Sequence, residues 1–310
     1  MRGLLAFPIT PADADGRVDV GALRALLRPL VAAGVDAVGL LGSTGTYAYL
    51  SRPERRRAVE AAVDEVGGRV PLLVGVGALR TDEAVGLAQD AREAGAAAGL
   101  LAPMSYTPLT EDEVFEHFST VAGRSGLPLH IYDNPGTTNF RFTPGLVGRL
   151  AQVPGIVALK SPAPEPALVA DHLAALRGRV PEGFPLGASV DWHAAEALLA
   201  GAEAWYSVAG GLVPEPCLAI VRAVQRGDAA EARRLDAALR PLWALFREFS
   251  SLRVAYAAAD LLGLCHAEPP RPILPLRGAA RQRVADALEA LGLGRPSERG
   301  HADPSRQIAP

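Results

Sequence analysis

Eight times between residues 3 and 226 a short apolar or β-branched run gives way to a longer stretch of helical periodicity. The candidate strands are 3–7, 36–41, 70–76, 98–102, 128–132, 156–160, 184–187 and 204–208. The candidate helices are 19–33, 52–66, 81–94, 110–124, 143–151, 164–177, 190–200 and 214–226. In the first of these Leu23, Leu26, Leu27, Leu30 and Val31 share one face, the spacing of a helix lying on a core. Thr81-Asp82-Glu83 and Thr110-Glu111-Asp112-Glu113 read as helix starts, and Gly34, Gly95 and Gly201 stand where helices must stop. Strands separated by helices run parallel. Eight is the number that closes such a sheet on itself, so the expected fold is α/β, a (β/α)8 TIM barrel. An open doubly wound sheet is the alternative, but the first βα turn lacks the G-x-G-x-x-G spacing. After residue 226 the strand signals cease. Residues 228–247, 251–263 and 279–291 read as additional C-terminal helices, interrupted by the Pro-rich stretch Glu268 to Pro275. The expected organisation is a barrel over 1–226, a helical extension over 227–294 and a polar, disordered tail over 295–310.

With 49% hydrophobic and 21% charged residues, the chain has the composition of a globular protein. A net charge of -3 gives no electrostatic basis for binding nucleic acid or an anionic membrane. No stretch is long and apolar enough to span a bilayer, and the apolar run after Met1 is too short for a signal peptide. A cytoplasmic location is therefore expected. Cys217 and Cys265 form no CxxC pair and sit near no histidine at zinc-ligand spacing. They read as two inert buried thiols, and no metal site is expected.

Of 31 basic residues, a single one is lysine: Lys160. Arginine carries surface charge as well as lysine does, but its guanidinium stays protonated and is no nucleophile. A solitary lysine in such a chain points to chemistry, with chance retention as the bland alternative. Barrel enzymes place their reacting groups at the C-terminal ends of strands, and Lys160 ends the sixth, in Val157-Ala158-Leu159-Lys160. Alternation sends Lys160 and Ala158 inward, Val157 and Leu159 toward the outer helices. Desolvation inside a barrel favours the neutral amine, which attacks a ketone to form an imine. The competing reading is a lysine that snorkels to the rim or pairs with a carboxylate.

Tyr132 ends the fifth strand, with His130 on the same inward face and Leu129 and Ile131 outward. Its phenol stands within reach of a substrate on the neighbouring strand, where it can shuttle protons. The plainer reading is a core tyrosine. His130, deeper, reads as a packed and hydrogen-bonded core histidine. Gly42-Ser43-Thr44-Gly45-Thr46 follows the second strand, and its hydroxyls and N–H groups can hold a carboxylate. On these residues alone a plain βα turn explains it equally well.

Several segments, taken in order, resemble one family: Pro8-Ile9-Thr10-Pro11, Asp15-Gly16-Arg17-Val18-Asp19, Gly42-Ser43-Thr44-Gly45, Tyr132-Asp133-Asn134-Pro135-Gly136 and Val157-Ala158-Leu159-Lys160-Ser161. Gly187, Ser207-Val208-Ala209-Gly210 and Pro272-Ile273-Leu274-Pro275-Leu276 add later landmarks. Together, over roughly residues 3–293, they are similar to the dihydrodipicolinate synthase and N-acetylneuraminate lyase family. The resemblance implies Lys160 as the imine-forming lysine and Tyr132 as the proton shuttle. It implies Ser43 and Thr44 as the grip on the carboxylate of a 2-oxo acid, with Ser43 relaying protons. Gly187 and Tyr206 would line the pocket. It also implies no metal or organic cofactor and a homo-oligomer, dimer or tetramer.

The chain departs from the synthase branch at several points. Thr46 stands where glutamate is usual, and Thr137 where an arginine grips the second substrate's carboxylate; Arg141, nearby, reads as a solvated loop residue. Ser105 stands where a neighbouring subunit's tyrosine is expected, and Tyr106 could substitute only if its loop shifts. Tyr206 replaces a small aliphatic residue. These departures set the expectation against dihydrodipicolinate synthase itself. After the seventh strand come Ser189, Asp191, Trp192 and His193; Asp191 reads either as a ligand for a hydroxylated substrate or as a helix N-cap, and Trp192 as a pocket wall. The expected function is an imine-dependent aldolase or lyase acting on pyruvate or a related 2-oxo acid. The alternatives are a dehydratase or decarboxylase of a sugar-derived 2-oxo acid, and a non-catalytic metabolite-binding protein.

Overall fold

A computed structural model describes residues 1–293. The tail expected over 295–310 lies outside the described residues. Eight parallel strands, β1 (Gly3–Ala6), β2 (Ala37–Leu40), β3 (Leu72–Gly75), β4 (Ala98–Leu101), β5 (Leu129–Tyr132), β6 (Ile156–Pro162), β7 (Leu186–Ser189) and β8 (Ala204–Ser207), close in sequence order into a barrel. Around them lie α1 (Val20–Ala33), α2 (Arg52–Val66), α3 (Thr81–Ala94), α4 (Glu111–Ser125), the single turn α5 (Pro135–Thr138), α6 (Pro144–Leu150), α7 (Val169–Arg177), α8 (Ala194–Leu199) and α9 (Pro214–Gln225). The fold is the (β/α)8 barrel with additional C-terminal helices that the alternation called for.

Local chemistry sets these boundaries. Asp19 caps α1 by accepting from the Ala22 N–H, and Gly34 ends it in the left-handed region at φ 72°. Leu23, Leu26, Leu27 and Leu30 are buried against the sheet, each stabilising by about 1.5–3 kcal/mol relative to exposure. Thr110 and Glu113 form a reciprocal capping box at the start of α4. Two cores result. The larger fills the space between strands and helices, and takes Leu129, Ile131, Leu159 and Trp205. The smaller fills the barrel, and takes Leu5, Phe7, Leu73, Leu100, Tyr132 and Tyr206.

Val157 does not join the outer core, and is 39% exposed. Leu129 pairs with Ile156 but His130 pairs with Ala158, so Val157 is the extra residue of a bulge. The single helix expected over 228–247 is two, α10 (Ala229–Ala238) and α11 (Arg240–Phe249). Pro241 opens α11 because it has no N–H to continue α10. Then follow α12 (Ser251–Leu261) and α13 (Gly278–Ala290). This extension packs back on the barrel: Trp243 meets Trp205 edge-on, and the Tyr256 hydroxyl donates to the Thr10 carbonyl at 3.3 Å. Cys217 is buried and Cys265 half-buried, both as free thiols. No helix among the described residues is long and apolar enough to cross a membrane.

Candidate active site

Strand register sets the first three groups. Tyr132 pairs with Lys160 across β5 and β6, and Lys160 pairs with Gly187 across β6 and β7. All three therefore stand at one level near the C-terminal mouth. Lys160 is 5% exposed. Its Nζ lies 4.1 Å from the ring centroids of both Phe7 and Tyr132 and 5.5 Å from that of Tyr206. Burial pulls its pKa below the ordinary lysine range, against the opposing influence of Tyr132 and Asp191. A lysine so placed supplies neutral amine far more readily than one in water.

The aromatic walls depend on glycines. A Cβ on Gly39 would stand 2.2 Å from the Phe7 ring, and one on Gly187 would stand 2.2 Å from the Tyr206 ring. Tyr206 is pinned at its other end, where its hydroxyl pairs with His130 Nδ1 at 2.9 Å. Burial pushes the His130 pKa down to about 3 and the Tyr206 phenol up. Both are therefore neutral, and contribute shape and one hydrogen bond.

Above Lys160 the hydroxyls converge. Ser43 Oγ and the Tyr132 hydroxyl are 3.2 Å apart. Asn134 Nδ2 donates to the Tyr132 hydroxyl at 2.9 Å and to Ser43 Oγ at 3.3 Å. Thr44 is buried in the same turn. That turn is entered at Leu41 with φ 55° and left at Thr46 with φ 52°, sparsely populated backbone for non-glycine residues. Thr46 is itself buried and faces the Tyr256 hydroxyl. Behind Tyr132 stands Tyr47, whose ring centroid is 5.2 Å from the buried Arg55 guanidinium. Arg55 donates to the carbonyls of Gly75 and Gly77, and burial lowers its pKa to about 10.

Three expected ligands are placed otherwise. Asp191 is buried, and its carboxylate accepts from Trp205 Nε1 at 2.8 Å, Ser207 Oγ at 2.7 Å and the Val208 N–H at 3.1 Å. It does not cap the helix that follows it, and its oxygens are taken by these donors and by the Ala209 N–H; burial raises its pKa to about 6 against those donors. It braces β8, with an electrostatic influence on Lys160. Tyr106 is 97% exposed, because its loop turns outward into a groove of about 710 Å³ beside Leu79, Met104 and His117. Within one chain it takes no part in the site. Thr137 is exposed, with its hydroxyl donating to the Asn134 carbonyl at 3.3 Å.

Phe7 and Asn134 escaped the sequence reading. Phe7 shares inward parity with Leu5, which was a usable signal. Asn134, just before Pro135, reads as a helix cap.

The dihydrodipicolinate synthetase family model matches residues 1–291. The 4-hydroxy-tetrahydrodipicolinate synthase of Thiobacillus denitrificans is 35% identical over 288 residues, covering 93% of this chain and 96% of that protein. A dihydrodipicolinate synthase structure from Agrobacterium tumefaciens is 59% identical, with TM-score 0.92 over 94% of this chain and 98% of that one. The chloride-inhibited dihydrodipicolinate synthase of Acinetobacter baumannii, complexed with pyruvate, is 26% identical, with TM-score 0.86 over 94% and 99%. These names give no support to the expectation that the chain stands apart from the synthases. With the likeness running from the first strand into the last helix, the chain belongs to the dihydrodipicolinate synthetase family of class I aldolase enzymes.

Proposed function

We propose that Lys160 forms an imine with pyruvate or a closely related 2-oxo acid, and that the enzyme uses it to make or break a carbon–carbon bond. The observation that carries this reading is the buried Lys160 amine against the Tyr132 ring, with the Tyr132 hydroxyl linked to Ser43. Lys160 Nζ attacks the C2 carbonyl. The resulting carbinolamine loses its hydroxyl as water, taking a proton from Tyr132. The phenolate then removes a C3 proton, and the electrons flow into the iminium to give an enamine. Enamine C3 attacks an aldehyde, whose oxygen takes the proton back from Tyr132. Water hydrolyses the new iminium, frees Lys160 as neutral amine and returns a proton to the Tyr132 phenolate. The imine is itself the electron sink, so this sequence calls on no metal or organic cofactor.

Ser43 and Thr44 serve as the carboxylate grip in this reading, and Tyr206 as the wall that limits substrate size. A homo-oligomer is part of it, with exposed Tyr106 and Leu79 on one face; sedimentation would test that. A second reading, dehydration or decarboxylation of a sugar-derived 2-oxo acid, rests on Thr137, which offers a carboxylated acceptor a hydroxyl and no guanidinium. The test is intact mass after borohydride treatment with pyruvate and a panel of 2-oxo acids, for wild type and Lys160→Arg. An adduct on wild type alone supports the imine. No adduct with any acid removes the mechanism and promotes a metabolite-binding protein. Product analysis with and without aspartate semialdehyde, an amino aldehyde bearing its own carboxylate, then separates aldol chemistry from dehydration.

A further inference from the structure

Asparagine is a favoured helix N-cap, and Asn134 occupies that position before α5, yet its side chain makes no capping bond. Its backbone carbonyl alone holds the turn, accepting from the N–H groups of Thr137 and Thr138 at 2.9 and 3.1 Å and from both threonine hydroxyls. The amide is thereby released into the site, where one nitrogen reaches both oxygens, the Tyr132 hydroxyl at 2.9 Å and Ser43 Oγ at 3.3 Å. An amide nitrogen carries two protons and accepts none. Both oxygens are therefore acceptors toward Asn134. Their own two protons are left for the 3.2 Å Ser43–Tyr132 edge and for the substrate.

We propose that Asn134 is a positioning residue for the proton relay. It fixes the direction of both hydroxyl protons and stabilises the Tyr132 phenolate that forms as the carbinolamine loses water. It does so from within one chain, on residues of β5 and the turn after β2. This rests on the imine reading above.

The test separates imine formation from proton removal. Wild type, Asn134→Val and Asn134→Asp are incubated to equilibrium with pyruvate. Trapped adduct is then read by mass, and exchange of the pyruvate methyl protons in D2O by NMR. Wild type is expected to trap and to exchange. Both variants are expected still to trap at saturating pyruvate. Exchange should fall about 10-fold in Asn134→Val and about 100-fold in Asn134→Asp, an isostere that cannot donate and places a negative charge beside the phenolate. Wild-type rates of exchange in both variants overturn the proposal, as does loss of trapping by both while circular dichroism stays native. Failure of wild type itself to trap condemns the imine reading instead.

Discussion

Gly187→Ala tests whether the pocket wall is set by contact between two side chains. The added methyl would lie 2.2 Å from Tyr206 Cε2 and 3.0 Å from the Ala204 Cβ. The ring cannot swing freely, because its hydroxyl is held at 2.9 Å by buried His130. Overpacking of this kind costs about 1–3 kcal/mol. Losing the buried Tyr206–His130 bond costs about 1–3 kcal/mol more if the ring is expelled. A total of roughly 2–6 kcal/mol is expected from the urea midpoint at unchanged slope. The adduct trapped on Lys160 should fall too, since Tyr206 stands 5.5 Å from Nζ. The decisive comparison is a cycle with Tyr206→Ala. Once the ring is gone, Gly187→Ala should lose most of its cost, keeping only what the 3.0 Å approach to the Ala204 Cβ demands. A cost that stays the same in that background would refute the reasoning, since the strain would then lie elsewhere.

Asp133 is buried, and its Oδ1 has no partner; burial raises its pKa to about 6. A raised carboxyl contributes stability present below its unfolded pKa and lost as pH rises through about 6. The Asp133→Asn variant should therefore match wild type near pH 4 and exceed it by about 1–3 kcal/mol near pH 8; the difference in urea midpoints at the two pH values checks this, and a gap that widens toward acid would sink it. Phe7→Ala should admit water to Lys160 and relieve the desolvation that lowers its pKa. Trapping at neutral pH should then drop and recover in more alkaline buffer, whereas an unshifted profile would show that Phe7 does not keep the amine dry.

The barrel was legible because period and parity are local properties. Lys160 and Tyr132 face inward as alternation required, and Leu159 and Ile131 face outward. Val157 escaped because a register slip between β5 and β6 leaves no mark in either strand alone. Asp191 was misread in both directions because its partners, Trp205 and Ser207, come from the next strand. Asn134 was hidden by its own propensity: before a proline, a cap explains it fully, and its reach into the site appears only when Ser43 arrives from β2. Tyr106 turned on a loop direction that no periodicity encodes.

The single ε-amine of the chain belongs to Lys160, 5% exposed. Everywhere else positive charge reaches solvent as guanidinium, which stays protonated and does not condense readily with ketones and aldehydes. The other amine, at Met1, is half-buried, and its pKa is lowered by burial. Sugars and oxo acids that would slowly glycate a lysine-rich exterior find only the Met1 amine to react with outside the barrel. On the imine reading, condensation with ketones and aldehydes is thus confined almost entirely to one nitrogen at the mouth of the barrel.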